Sequence, residues 1–390
     1  MQNKHYFVSI EGLHRIQTEY PTDADPSPPP LRRAPPITTT ITGTAKVSPW
    51  YNPCGLSRKT KWMIIMTGLL VAGVILGTVV GGVVGSRNTS DQYPDYSPLQ
   101  YRLTNDYMGP NFFGHFYYFS EDDPTRGTVD YVDRATAQDL NLTYTTDNSA
   151  VLKVDTVNPA TERGRRSVRI ESKAQYDHGL FIIDITHTPV GCGTWPAVWL
   201  LGPDHPWHGE IDIVETDNLA LDGNIVTLHT WEGCRVEDVE RKQTGKKGKW
   251  NCGDGDRDGC DVQGYPESDG ERMNHMGGGV YALELREAGI RIWFFRRSQI
   301  PPDISTNPDP STWGLPLADF PNTKCDILSH FNNMSIVINI ALCGQQGADP
   351  KLYTDQYQCP GNCSDFVRNN PEYFIDAYWE FKGFKVFQAW

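Results

Sequence analysis

From residue 101 onward, short apolar runs alternate with clusters of Gly, Pro, Asn and Asp. Runs rich in β-branched and aromatic residues occupy 167–171, 180–185, 197–201, 210–214, 225–229, 280–285, 290–295, 335–342 and 384–387. Their period is two or continuous, which is the pattern of half-buried or core strands. No long amphipathic helical period competes with it. That many short strands in one stretch of chain predict an all-β, two-sheet sandwich over residues 101–390.

Two earlier stretches break the pattern. Residues 1–61 lack apolar periodicity and are rich in Pro, Thr and Ser, including three consecutive prolines at 28–30. They cannot bury enough surface to fold, and read as a disordered tail. Residues 62–85 are the opposite: 24 residues with no charge. As a helix they would extend about 36 Å, enough to cross a hydrocarbon layer of about 30 Å. Arg58, Lys59 and Lys61 precede this stretch and Arg87 alone follows closely. The positive-inside rule then predicts a single-pass type II signal-anchor, with residues 1–61 cytosolic, 86–100 a linker, and the sandwich outside or lumenal, at the plasma membrane or in the secretory pathway. Gly73, Gly77, Gly81 and Gly85 repeat every four residues. Such a stripe either packs two helices into a homodimer or is a Gly-rich span without a partner.

Charge and cysteine agree with this topology. Residues 1–61 carry 8 Lys+Arg against 4 Asp+Glu, and the remainder 27 against 44. A domain so acidic is unsuited to nucleic acid and suits a neutral polymer. Cys54 lies on the cytosolic side, a candidate for palmitoylation. The other eight cysteines lie beyond residue 85, an even number that allows up to four disulfides in an oxidising compartment. Sequons at Asn88, Asn141, Asn333 and Asn362 also lie beyond it. The chain has 11 Trp, 18 Tyr and 15 Phe. That many aromatic faces serve either a β-rich core or the C–H faces of sugars.

The candidate chemistry is concentrated in Glu210-Ile-Asp212-Ile-Val-Glu215. On a regular strand Glu210 and Asp212 share a face and Glu215 points away. One residue bulged near Ile213 or Val214 would return Glu215 to that face and line a groove with three acids. Two carboxyl groups about 5–5.5 Å apart are the pair a retaining glycosidase uses, and a third between them can hold their charges apart. The alternative is a charged strand edge, but three like charges on one strand repel without a purpose. Trp195 and Trp199 precede the acids and serve either the core or the groove. Trp207, between Pro206 and His208, is the candidate sugar platform. His229 either donates to a sugar hydroxyl or is a satisfied strand histidine.

The segment 209–215 resembles the ExDxxE signature of glycoside hydrolase family 16, and residues 101–390 resemble its fungal-type endo-1,3(4)-β-glucanase (laminarinase-like) branch. Further similar segments are 166–170, 191–199, 227–230, 293–296, 313–316, 339–343 and 377–380. The resemblance implies a β-jelly roll with a concave substrate cleft, Glu210 as nucleophile, Asp212 as its assistant and Glu215 as general acid/base. Arg169 and Trp313, in the similar segments, join Trp195, Trp199, Trp207 and His229 as substrate-binding candidates. No cofactor or metal is expected; the 254–259 run of Asp and Gly has Tyr265 where an EF-hand loop needs Glu, and reads instead as a disulfide-flanked turn between Cys252 and Cys260, with the pairing of the cysteines left open. The chain departs from the family pattern in two places. His205-Pro-Trp-His replaces Trp-Pro-Asn-Gly, and Cys343-Gly-Gln-Gln-Gly347 lacks the usual Trp. The expected activity is retaining endo-hydrolysis of β-1,3- or mixed β-1,3/1,4-glucan. A glucan transglycosylase or a non-catalytic glucan receptor on the same fold are the alternatives.

Overall fold

The computed structural model describes residues 92–253 and 258–390. The tail, the 62–85 span with its glycine stripe, Cys54 and Asn88 lie outside the described residues, as does part of the Asp-Gly turn. Among the described residues, no helix is long and apolar enough to cross a membrane.

Eighteen strands follow in chain order: β1 (Tyr101–Asp106), β2 (Phe116–Tyr118), β3 (Val129–Tyr131), β4 (Thr143–Thr145), β5 (Ala150–Lys153), β6 (Arg165–Ser167), β7 (Arg169–Tyr176), β8 (Gly179–His187) and β9 (Thr194–Leu201). Then come β10 (Glu210–Glu215), β11 (Ile225–His229), β12 (Lys246–Trp250), β13 (Cys260–Gln263), β14 (Gly279–Arg286), β15 (Gly289–Arg296), β16 (Ala318–Pro321), β17 (Met334–Leu342) and β18 (Tyr378–Ala389). Every apolar run read from the sequence lies on these strands, and the helices between them are short.

The strands form two eight-stranded sheets. One runs β16-β15-β14-β8-β18-β5-β4, with β1 also paired to β18; the other runs β12-β13-β11-β10-β9-β17-β7-β2. All pairs within them are antiparallel, while β3 and β6 form a small parallel pair. The facing sides interdigitate in one large core containing Phe181, Ile183, Val198, Leu200, Ile211, Ile213, Leu283 and Phe384. Burial of such side chains contributes about 1.5–3 kcal/mol each, which is the term that holds the sheets together.

The outer face of the first sheet is also covered. Leu180, Ile182, Val280, Ala282, Trp293 and Phe295 make a second core with Ile304, flanked by Ile300 and Trp313. This explains why β8 and β14 are apolar nearly throughout, whereas β10 alternates. The outer face of the second sheet is the one left open, and it carries the acids.

Four disulfides pair all eight cysteines beyond residue 85: Cys192–Cys359, Cys234–Cys325, Cys252–Cys260 and Cys343–Cys363. One sequence expectation needs correction. The stretch read as a linker to residue 100 is fastened down from Tyr93: the Tyr93 and Tyr96 hydroxyls donate to the buried Asp319 at 2.9 and 3.3 Å, and Arg291 lies 4.0 Å from the Tyr96 ring. The basic stretch 241–249 is anchored at its start, where Arg241 is buried over Phe320 and donates to the Asp319 carbonyl at 2.7 Å, while its edge strand β12 is exposed throughout. Buried Asp319 organises both through its acceptors, a long-range cause that local polarity does not show.

Candidate active site

The register of β10 against β9 builds the site. Glu210 pairs with Leu201, Ile211 with Leu200 and Asp212 with Trp199; then Val214 pairs with Val198 and Glu215 with Ala197. Ile213 is the extra residue of a β-bulge. The three acids therefore oppose Leu201, Trp199 and Ala197, alternate residues of β9 that share one face. Ile211, Ile213 and Val214 are buried, and their packing holds the strand from behind.

A bulge leaves backbone groups outside the ladder, and Asn224 takes them up. Its Oδ1 accepts from the Glu215 amide and its Nδ2 donates to the Ile213 carbonyl, both at 2.8 Å. Asn224 is fully buried, and its own amide donates to Ser268 Oγ at 2.9 Å. This residue was not picked out in the sequence; its only signal there is an Asn between Gly223 and a strand.

The acids occupy different surroundings. Asp212 is 3% exposed. Burial, then the nearby Glu210 and Glu215, push its carboxyl well above the usual range. Glu215 is half-buried and accepts from Trp195 Nε1 at 2.8 Å. Burial raises its pKa to about 7; the Trp195 hydrogen bond pulls down and buried Asp217 pushes up. Asp217 accepts from Asn218 Nδ2 at 2.9 Å and Gln346 Nε2 at 3.1 Å, so the Gln that departs from the family pattern has a partner beside the acids.

Histidines flank the strand. His205 Nε2 lies 3.4 Å from Glu210 Oε2, and His229 Nε2 lies 3.6 Å from Asp212 Oδ2. Donor atoms of Glu210, Asp212 and His229 fall within 4.8 Å of one another, close enough to hold a cation, though such closeness equally serves paired-acid chemistry.

The aromatic candidates separate. Trp195 touches Glu215. Trp199 opposes Asp212, donates to Asn339 Oδ1 at 2.8 Å and lies 5.1 Å from the Arg169 guanidinium, so Arg169 also joins the open face. Trp207 is 60% exposed, with its ring 5.6 Å from that of Trp231, which stacks on His330 at 4.8 Å. Trp231 directly follows the 227–230 segment, but its stacking on His330, about a hundred residues on, arises only in the fold. Trp313 is a correction: it packs against Trp293 and Phe295, both at 5.6 Å, over the other sheet, so it does not join the acids. Its segment covers the second core, a placement that similarity of sequence does not reveal.

A family model described as "XgeA-like, catalytic GH16 domain" matches residues 116–387. The chain belongs to glycoside hydrolase family 16. Within the family, it is 43% identical over 304 residues to a probable glycosidase of Schizosaccharomyces pombe, covering 76% of this chain and 72% of that protein. It is 41% identical to an endo-1,3(4)-β-glucanase of Arthroderma benhamiae over 74% of this chain and 65% of that one. The match to the endo-1,3(4)-β-glucanase of Emericella nidulans spans about half of that longer protein, 48%. Among solved structures, laminarinase 16A from Phanerochaete chrysosporium, with β-glucans in donor and acceptor sites, is 38% identical with a TM-score of 0.71, covering 74% of this chain and all of that one. An elongating family 16 β-1,3-glucosyltransferase is also 38% identical, with a TM-score of 0.68 and the same coverage.

Proposed function

We propose that this glycoside hydrolase is an endo-acting β-glucan hydrolase working by double displacement. The observation that carries the reading is the bulge at Ile213, which sets Glu210, Asp212 and Glu215 on one open face in unlike surroundings. In this reading Glu210 attacks the anomeric carbon while Glu215, with a pKa raised to about 7, gives its proton to the leaving oxygen. Glu215 then takes a proton from water as the water oxygen displaces Glu210, restoring both groups. Asp212 lies between them as the assistant of Glu210, its carboxyl pushed up by burial and by the two glutamates. Trp199, Trp207, Arg169 and His229 supply ring faces and donors for the sugars; the names of the relatives support β-1,3- or mixed β-1,3/1,4-glucan as substrate.

The test is reducing-end release from laminarin and from lichenan by the full chain. Release from at least one is expected, falling at least a thousandfold in Glu210→Gln; a folded protein inert on both would overturn the reading. The similarity to an elongating glucosyltransferase keeps a second reading in view. Products longer than the starting oligosaccharide would mark sugar, rather than water, as the acceptor.

The uncharged 62–85 stretch supports, as part of the same proposal, a type II anchor with the catalytic domain lumenal or extracellular. The protein should stay with membranes after alkaline carbonate washing, and its catalytic domain should resist protease in sealed microsomes. Loss in the wash, or digestion, would refute the anchor.

A further inference from the structure

Trp313 leaves the acids' face but does not disappear into the core. With Pro301 and Pro302 it lines a cavity of about 710 Å³ over the other sheet, together with Gln299, Asp303, Asn307, Asp309 and Thr312. That volume falls within the roughly 300–1,000 Å³ of small-ligand sites.

The walls are prearranged. Asp303 accepts from Trp313 Nε1, at 3.0 Å to Oδ2, and from the Asp309 amide at 2.8 Å. Asp309 in turn accepts from the Ser311 amide at 3.1 Å, closing the 3₁₀ turn Pro310–Thr312. Edge contacts with Trp293 and Phe295 fix the Trp313 ring. The prolines and the braced carboxylate lose little freedom on binding.

The lining identifies the ligand class. Ring and proline surfaces suit the C–H faces of a sugar. Carboxylate and side-chain amide groups suit its hydroxyls, since Asp303 Oδ1 and Asp309 Oδ2 each accept from at most one of these donors. The acidic lining and the acidic charge of the chain beyond residue 61 disfavour an anionic glycan.

We propose that this cavity is a second binding site for a neutral glucan chain, separate from the cleft. The acids face outward from one sheet and the cavity lies outside the other. Both sheets and the core packed between them separate the two, so a short oligosaccharide held at one cannot reach the other. A long polymer can, and holding it twice raises its residence on the enzyme without changing the chemistry. The identity of the glucan rests on the proposed function; the existence of the site does not.

The test uses the full chain with Glu210→Gln, so that glucan is bound without turnover, and measures retention on insoluble linear β-1,3-glucan. A double Gln299→Ala/Asn307→Ala variant, whose side chains lie on the cavity lining, and Trp313→Ala are compared with the parent. Retention is expected to fall at least fivefold. In the active background the double variant should raise KM for the polymer at least threefold and leave kcat/KM for a tetrasaccharide unchanged. Trp313→Ala can loosen the second core, so the double variant decides if that protein fails to fold. Unchanged polymer retention in a folded double variant would overturn the proposal, as would an equal loss on polymer and tetrasaccharide. Loss of polymer retention remains informative even if the parent proves inactive, which separates failure of this site from failure of the catalytic reading.

Discussion

At the scale of single residues, Glu215 is tuned by neighbours that act in opposite directions. Burial and Asp217 raise its pKa, and the Trp195 N–H lowers it. A general acid must be protonated, so kcat/KM should fall as pH rises through about 7, the value to which Glu215 is raised. Asp217→Asn removes an upward push, and the alkaline limb should move to lower pH, with a roughly threefold to tenfold loss at pH 8. Trp195→Phe removes a downward pull, and the same limb should move to higher pH. The pH profiles of both variants check this; shifts in the same direction would contradict it. The motif displayed the three acids, and Trp195 lay in a segment already singled out. Asp217 was only one more acid in an acidic domain, because its effect comes from burial, and burial is not local.

At the scale of the element, the strand is productive because it is irregular. An even alternation would turn Glu215 into the core. Odd spacing of acids in Glu210–Glu215 made a bulge legible in the sequence, and the register places it at Ile213. What holds it was not legible, since Asn224 lies on the entry to the next strand and meets the bulge only when β10 and β11 pair. Asn224→Ala leaves a buried N–H and C=O without this partner, at about 1–3 kcal/mol each. The expected result is a fall in kcat of roughly ten- to a hundredfold, since each 1.4 kcal/mol is tenfold, with little change in KM. Steady-state kinetics alongside a melting curve checks it; an unchanged kcat in the folded variant would deny Asn224 this positioning role.

At the scale of the molecule, the site is built against stability. Asp212, Glu215, Asp217 and Asp269 all have carboxyls pushed up, chiefly by burial. An acid whose native pKa lies above its unfolded value contributes stability at low pH and loses it as pH rises through the native value. For Glu215 that window runs from about 4.5 to about 7. Glu215→Gln removes an ionisation that burial penalises, so it should raise Tm by a few degrees at pH 8 and by less at pH 5, as thermal melts at the two values would show. The opposite ordering would contradict the assigned environment. Disulfides offset part of this cost. Cys192–Cys359 joins residues 167 apart in sequence, a closure worth about 4–5 kcal/mol on chain-entropy grounds, and Cys343–Cys363 fastens the segment that carries Gln346.

The sequence by itself determined the strands, the acid triad and the need for a bulge, because each follows from spacing along a few neighbouring residues. Only the tertiary structure decided which side chains surround those acids. Asn224 and Asp217 reach them through strand pairing and burial, Trp231 and His330 stack beside Trp207 instead, and Trp313, in a segment similar to the family's, is carried to the opposite sheet. Spacing fixes the direction a side chain takes from its own strand; what it meets there depends on which distant strands pack against it.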